Sequence, residues 1–349
     1  MRNFLINKNK NKGFTLIEFI VASGLAVIVI LAAGSTFLLT RKLNNTAQSR
    51  IAIQQNLRNA SIQLTRDARM AGTFGCFNTT AAELNPVLSS SVSFPELPSG
   101  LGVQLDRGIP SGFGVSVLDA SNAPASIKAM NPKGSILVVV YGKGGVGVTT
   151  PASNLYNFQS LDLASHSLMD SDISQALNAG DNLVLSNCIS GYTVKSNPSV
   201  GGTVNLSKSY NAGELAQAKA TQGELTLSRL YAVAYFIGEV NGVSSLLRTE
   251  IQPDGNWSSS PQLLAQGINS MNLSFGYIDE NTCSKSTTQR NETFTFSDQL
   301  SKKILPALVR MHLKYDSDVP DVTRKNNNPS EADYVIYASV RGGNYCTVY

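Results

Sequence analysis

The first pattern of hydrophobic positions along the chain is a long apolar run. From Phe19 to Thr40 no residue is charged. At about 1.5 Å per residue such a helix is about 30 Å long, which matches the hydrocarbon core of a bilayer. We therefore predict a membrane-spanning helix. The acid at its start, Glu18, is a candidate functional residue, because a carboxylate in hydrocarbon is costly and needs a partner.

A helical period continues beyond the apolar run. Apolar residues recur at spacings near three, four or seven positions: Leu43, Ala47, Ile51, Leu57, Leu64 and Ala68. No proline occurs between Phe14 and Ala71, and Gly72 provides a stop signal. The pattern predicts one continuous helix, about 85 Å long. Its transmembrane half covers residues 14–40 and its amphipathic half covers residues 41–72.

The remaining residues, 73–349, are predicted to form a β-rich head. Between Asn78 and Pro132, Ser, Gly, Pro and Asn dominate, which is typical of loops and short strands. Apolar and alternating segments then predict strands. These segments begin at Ser135, Asn182, Arg229, Val243, Ile268, Ala307 and Tyr334. Asn241-Gly242 predicts a hairpin, and a short helix is expected after Asp162. The sequence indicates an α+β fold, with the long N-terminal helix packed on an antiparallel β-sheet head.

The charge distribution predicts the orientation of the chain in a membrane. The net charge of +4 is too small for the basic field of a nucleic-acid binder. Basic residues instead flank the apolar run: Arg2, Lys8, Lys10, Lys12, Arg41 and Lys42. A basic leader favours a cytoplasmic N-terminus, so the chain after about Thr40 is expected to be exported.

The cysteines fit an exported head. Cys76, Cys188, Cys283 and Cys346 lie far apart and form no C-x-x-C pair. An even number of cysteines in an oxidising compartment predicts two disulfides, for which three pairings are open. Buried free thiols are the alternative.

A cleaved secretory signal peptide is a second interpretation of the N-terminus. The small residues near Ala33 resemble a cleavage site, and cleavage there would release a soluble periplasmic binding protein. However, the apolar run exceeds the usual length of about 7–15 residues, follows Glu18 directly, and leads into a further helical pattern. These features favour an anchor.

One glycine-rich segment raises the possibility of an ATP-binding enzyme. GKGGVGVTT, residues 142–150, follows a predicted strand and looks like a phosphate-binding loop of the ParA type. The position of the phosphate-binding lysine is Val148, and Pro151 follows the threonines. Because the cation is missing, we interpret the segment as a glycine-rich loop between strands.

Other catalytic and metal-binding patterns are weak. His166 and His312 are the two histidines, and neither lies in an H-E-x-x-H motif or beside a G-x-S-x-G elbow. The acidic loop with Asp316, Asp318 and Asp321 offers oxygen ligands for calcium but lacks EF-hand spacing, so a solvated loop is favoured. We predict a protein that is not an enzyme and has no cofactor or metal.

The start of the chain resembles a known processing signal. KGFTLIE, from Lys12 to Glu18, follows a basic leader and precedes a long apolar run. This arrangement is similar to the class III signal of type IV pilins and pseudopilins. The resemblance implies that prepilin peptidase cleaves between Gly13 and Phe14, so that residues 1–13 are a leader, and that Phe14 is N-methylated. It also implies that Glu18 is an assembly contact with the amine of a neighbouring subunit.

Five further stretches resemble the PilW family of minor pilins. They are RDARMAGTFGC, NAGDNLVLSNC, RLYAVAYFIGEVNGVSSLLRTEI, LLAQGINSMNLSFGYID and LPALVRMHLKYDS. This resemblance implies the disulfides Cys76–Cys188 and Cys283–Cys346. Pseudopilin J of type II secretion systems has a similar end to its sheet and is the nearest alternative.

The resemblance also implies a function and a location. The subunit would lie in the inner membrane with its head in the periplasm, prime pilus assembly with other minor pilins and the major pilin, and move to the pilus tip at the cell surface. Twitching motility, adhesion or DNA uptake would follow. A tip adhesin is a further possible partner, whereas no direct nucleic-acid site is evident.

Overall fold

The computed structural model describes residues 13–75, 77–78, 114–149, 157–163, 173, 182–186, 191–195, 203–211, 225–252, 256–278, 294–300, 305–317 and 330–341. The four cysteines, His166 and the side chains of the acidic loop at Asp316, Asp318 and Asp321 lie outside what it describes. The disulfide and calcium hypotheses therefore stay predictions. Apart from Ile173, the same holds for the short helix expected after Asp162.

Helix α1 extends from Leu16 to Met70, which confirms the predicted long helix. Gly72 follows with a φ of 72°, a left-handed conformation that glycine adopts without strain and that commonly ends helices. Its N–H donates a hydrogen bond of 2.9 Å to the carbonyl of Val140. The chain divides into two compact units within α1, between Ala52 and Ile53.

In the first unit, every described residue from 13 to 52 has an exposed side chain. Leu43, predicted to lie on the apolar face of the helix, is 62% exposed, and Ile51 is also exposed. α1 is long and apolar enough to cross a membrane by length and composition.

In the second unit, the apolar face of α1 is buried at Leu57, Ala60, Leu64 and Ala68. Strands follow the helix. They are β1 Thr73–Phe74, β2 Phe77–Asn78, β3 Val115–Asp119, β4 Lys133–Thr149, β5 Asn157–Leu163, β6 Asn182–Ser186, β7 Gly191–Lys195, β8 Thr203–Asn211, β9 Leu225–Val240, β10 Val243–Glu250, β11 Gln262–Gln266, β12 Ile268–Ile278, β13 Phe294–Ser297, β14 Leu308–Ser317 and β15 Ser330–Ser339.

The described strands form a nine-stranded sheet, a four-stranded sheet and the β1–β2 ribbon, all with antiparallel pairing. The long strands β4 and β9 pair with each other at the centre of the larger sheet. Along the outer edge of β4 lie β3 and β5, and along that of β9 lie β10 and β6. The smaller sheet has the order β13-β12-β14-β15. The α+β class is confirmed.

Two local sequence patterns, an alternating segment and an Asn-Gly turn, correctly predict parts of the sheets. β12 covers Ile268–Ile278, the predicted segment. The β9–β10 hairpin turns at Asn241 and Gly242, with φ values of 52° and 77°. Positive φ at both central residues is the requirement of the tight turn that Asn-Gly favours, so this prediction is confirmed.

The glycine-rich segment differs from its prediction as a loop. It belongs to β4, which continues to Thr149 and pairs with β9 on both sides of a bulge between Lys143 and Val146. Gly142 permits close packing, since an added Cβ would lie 2.7 Å from Ser228 Oγ and 3.1 Å from Phe74 Cα. Close packing thus accounts for Gly142, whereas Gly144 lies in the bulge with a positive φ of 67°. Because the segment is part of a strand, the phosphate-loop alternative loses its strand–loop–helix geometry.

The region before Pro132, predicted as loops and short strands, also differs in part from its prediction. Besides β3, its described residues form a 3-10 turn, Ala120–Asn122, and a short helix α2, Ala125–Lys128. This helix was not predicted. Its single turn buries Ile127 in the main core, so tertiary packing stabilises a segment too short to show a helical period.

The core of the second unit has two parts. The main cluster joins α1 to β4, β9 and β10 and to the smaller sheet, with Tyr235, Phe236 and Phe275 among its largest buried side chains. A separate cluster joins the distal ends of β4 and β9 to β5, β6, β7 and β8. Because β9 is buried along nearly its whole length, its sequence is almost continuously apolar.

Candidate functional site

The start of α1 is a capping box formed by Thr15 and Glu18. The Glu18 Oε2 atom accepts hydrogen bonds from the Thr15 backbone N–H at 3.0 Å and from the Thr15 hydroxyl at 2.9 Å. The Glu18 N–H in turn donates to Thr15 Oγ1 at 3.4 Å. This reciprocal pattern satisfies backbone donors at the first turn of a helix. The polar groups at the start of the apolar run thus satisfy one another.

The capping box leaves one oxygen of Glu18 available. Both accepted hydrogen bonds end on Oε2, and Oε1 accepts none within the part of the chain that is described. A carboxylate can accept several hydrogen bonds through its two oxygens. Glu18 can therefore cap its own helix and contact a second group at the same time.

The predicted cleavage position lies directly before this box. Gly13 has open space around the position where a Cβ would stand, and Phe14 is 92% exposed. The structure thus brings Gly13, Phe14, Thr15 and Glu18 together within one turn of the helix start. In sequence reasoning Thr15 was missed, although the spacing Thr-x-x-Glu before an apolar run signals a capping box.

The hydroxyl groups within the apolar run are satisfied locally. Ser23 donates to the carbonyl of Ile20, Ser35 and Thr36 both donate to that of Ala32, and Thr40 donates to that of Thr36. Each hydroxyl therefore bonds to its own helix, which lowers the cost of placing it in hydrocarbon. Glu18 remains the ionisable group of this segment.

A second polar cluster joins the end of α1 to the larger sheet. Asp67 is only 3% exposed. Its Oδ1 accepts a hydrogen bond of 2.9 Å from the Tyr141 hydroxyl on β4. Its Oδ2 accepts one of 2.6 Å from the Tyr235 hydroxyl on β9 and one of 3.0 Å from Arg248 Nε on β10. We call Asp67, Tyr141, Tyr235 and Arg248 the anchor cluster.

The register of the sheet positions the anchor cluster. Tyr141 lies opposite Tyr231, and Arg248 lies opposite Tyr235. Tyr231 and Tyr235 are four residues apart on β9 and share one face of the sheet. Tyr231 donates a hydrogen bond to Glu250, which also lies 3.6 Å from Arg248. The helix carboxylate is thus surrounded by donors from three adjacent strands.

Burial and charge set the protonation states of the cluster. Burial, followed by the Asp67 charge, raises the pKa of Tyr141 and of Tyr235. Both phenols therefore stay protonated and donate. Burial alone would lower the pKa of Arg248, but the charge of Asp67 and the neighbouring tyrosines raise it overall, so Arg248 stays charged. A buried acid with a matched cation and two donors is fully satisfied.

Sequence reasoning did not find the anchor cluster. One signal was present, because Asp67 follows Leu57, Ala60 and Leu64 at helical spacing and so lies on the apolar face of α1. A charged residue in such a position requires a buried partner. Its partners could not be read from the sequence, since they lie 74, 168 and 181 residues away.

The structure supports no catalytic or metal-binding arrangement among the described residues. His312 on β14 pairs with Asp333 on β15 at 3.2 Å, which is a cross-strand contact. No group of three His, Cys, Asp or Glu side chains clusters as a metal site would require in the part described. Nothing in these residues directly excludes catalysis.

Comparison with known proteins characterises the N-terminus. Residues 8–34 match the model of the prokaryotic N-terminal methylation motif, which is typical of type IV prepilins. No curated protein and no solved structure matches the chain. Together with the apolar helix, the motif fits a membrane-anchored pilin or pseudopilin, and it suggests a structural subunit with pilus-type assembly machinery and other pilins as partners.

Proposed function

We propose that the protein is a minor pilin of the PilW type, a structural subunit that primes assembly of a type IV pilus and lies at or near its tip. The methylation motif supports the pilin part of this proposal. The five downstream stretches that resemble PilW support the finer assignment. The subunit would span the inner membrane once, with residues 1–13 as a cytoplasmic leader and residues 73–349 as a periplasmic head.

The observation that carries the proposal is the geometry of Glu18. The carboxylate stands at the first turn of a membrane-length helix, immediately after the processing motif, and uses one oxygen for its own cap. Cleavage after Gly13 would give Phe14 a free amine. We propose that the second oxygen pairs with this amine on a neighbouring subunit, because a charge in hydrocarbon requires a counter-charge. Such a pair would set the register between adjacent helices.

Three variants separate capping from ion pairing. Glu18→Gln keeps a side chain that can close a capping box but removes the charge. Glu18→Ala removes both, and Thr15→Ala removes the cap partner while keeping the charge. We expect Glu18→Gln and Glu18→Ala to be cleaved and membrane-bound, yet to reduce surface pili and cross-links to other minor pilins equally. Wild-type pilus numbers in Glu18→Gln would contradict the ion pair.

Cleavage and methylation of the N-terminus provide an independent test of the pilin proposal. Mass spectrometry of the mature protein should show an N-methylated Phe14, and Gly13→Asp should leave a full-length precursor in the membrane. A mature chain beginning near Gly34 would instead indicate a secretory signal peptide.

Deletion of the gene separates the minor pilin from a type II secretion pseudopilin. The proposal expects loss of surface pili with normal secretion of exoproteins. Loss of secretion with normal piliation would assign the chain to the secretion system.

A further inference from the structure

A groove with basic walls lies in the second unit, between the last turns of α1 and the glycine-rich part of β4. Its volume is about 760 Å³. The helix contributes one wall from Ser61 to Met70, and β4 contributes the other from Tyr141 to Gly144. Both walls belong to the second unit of the chain.

Four cations line this groove. They are Arg66 and Arg69 on α1, Lys143 on β4, and Arg341 after β15. No Asp or Glu is among the described residues that line it. Lys143 Nζ lies 4.9 Å from the centre of the Tyr231 ring, which fixes this ammonium group at the edge of the anchor cluster.

The three arginines are not neutralised within the described part of the chain. Arg66, Arg69 and Arg341 are exposed, and none of them forms a salt bridge with a described carboxylate. Like charges converging on one concave surface repel one another, and an anionic partner relieves that repulsion. The charge of the groove is therefore complementary to an acidic ligand.

The apolar part of the lining favours a protein over a nucleic acid. Ile62 is 61% exposed and Met70 is 37% exposed on the helix wall. The aromatic residue of the lining, Tyr141, is buried and donates to Asp67, so it offers no face for base stacking. Single-stranded nucleic acids depend on such stacking platforms. Met and Arg are instead enriched at protein interfaces, and the exposed Ile62 adds apolar area beside them.

We infer that this groove binds an acidic, amphipathic segment of another protein subunit. Carboxylates of that segment would pair with Arg66, Arg69 and Arg341, and its apolar side chains would cover Ile62 and Met70. The identification of the partner as another subunit of the pilus rests on the proposed function; the chemistry of the groove does not.

Binding of a defined peptide tests the inference with the full chain in detergent micelles. The probe is a fluorescent peptide of about 15 Glu and Leu residues at helical spacing. We expect binding that weakens as salt rises. It should weaken at least about ten-fold when Gln replaces Glu in the peptide, and also when Ser replaces Leu.

Matched variants of the protein locate the binding. Arg66→Glu with Arg69→Glu, and separately Arg341→Glu, should each weaken peptide binding at least about ten-fold. Because Arg341 lies outside α1, Arg341→Glu tests the charge of the groove without altering the helix. Ile62→Ser should weaken peptide binding, as the replacement of Leu by Ser in the peptide does. Arg58→Glu, on the same helix but outside the groove, should change binding less than about two-fold.

Three results would overturn the inference. They are equal binding by wild type and Arg341→Glu, an equal effect of Arg58→Glu, and tighter binding of an oligothymidylate of matched charge, which would indicate a nucleic-acid surface. The proposed function is tested separately by the processing of Gly13 and by Glu18→Gln. Loss of pili in Glu18→Gln with no peptide binding would reject the groove alone, and peptide binding with no pilus defect would reject the pilus role alone.

Discussion

The parts of α1 in the two units satisfy their acidic residues in opposite ways. Glu18, in the first unit, finds its partner three residues away in Thr15. Asp67, in the second unit, finds its partners on three strands at least 74 residues away. The first carboxylate is exposed and keeps an available oxygen, whereas the second is buried and fully used. In the first unit the acid of α1 therefore keeps an oxygen accessible to a further group, whereas in the second unit the acid joins α1 to the sheet.

The largest expected effect is on the anchor cluster. Asp67→Ala removes the nearest counter-charge of the partly buried Arg248, which keeps only the longer contact of 3.6 Å with Glu250. It also leaves two buried phenols without their acceptor, so the free energy of unfolding should fall by about 3–5 kcal/mol. Urea unfolding of the detergent-solubilised chain, followed by fluorescence of the single buried Trp257, measures this. Asp119→Ala, at an exposed position, is the control and should have little effect.

Apolar side chains on α1 should also contribute differently to stability in the two units. Leu57→Ala removes a fully buried side chain and should cost about 2–5 kcal/mol of head stability. Leu43→Ala, at a position 62% exposed, should leave the same unfolding curve unchanged. Equal effects of the two substitutions would contradict the difference between the two units.

The tyrosines of the anchor cluster predict a loss of stability in alkali. Tyr235→Phe removes a hydrogen bond to a charged group and should cost about 1.5–3 kcal/mol near neutral pH. The pKa of Tyr235 is raised in the folded state, by burial first and by the Asp67 charge second. Its contribution is therefore complete below the unfolded pKa of about 10 and is lost as the pH rises beyond it.

Unfolding curves at about pH 8 and about pH 11 test this sign, since the two values lie on either side of the unfolded pKa. The wild type should lose more stability between them than Tyr235→Phe does. A parallel loss in both proteins would show that Tyr235 does not couple folding to protonation.

The smallest expected effect concerns the capping box. Thr15→Ala should cost about 1 kcal/mol, confined to the first turn of α1. Because this turn lies in the first unit, the Trp257 unfolding curve should not move. Amide exchange of the first helical turn should become faster, and faster exchange throughout the head would contradict the local character of the cap.

Much of the fold follows from local sequence patterns. The apolar run, the helix end at Gly72 and the Asn241-Gly242 turn all depend on residues adjacent to one another, and each was predicted. The glycine-rich segment was misassigned as a loop for the opposite reason. Gly142 of this segment packs closely against Ser228 and Phe74, which are distant in sequence.

In the candidate site, too, local motifs could be predicted from the sequence, whereas contacts between distant residues could not. Gly13, Phe14 and Glu18 are predicted as site residues from a contiguous motif, and the spacing of Thr15 to Glu18 also predicts the capping box. Arg66 and Arg69 are visible in the sequence as helix cations, but their convergence with Lys143 and Arg341 on one groove depends on the packing of β4 and of the chain after β15.

The sequence by itself determined the membrane-length helix, the motif at its start, the β-rich character of the head and the tight hairpin turn. Each of these rests on short-range backbone and side-chain preferences. Only the tertiary structure decided the buried environment of Asp67, the strand conformation of the glycine-rich segment and the basic groove. These features depend on which distant strands become neighbours, and that choice is set by the packing of the whole core.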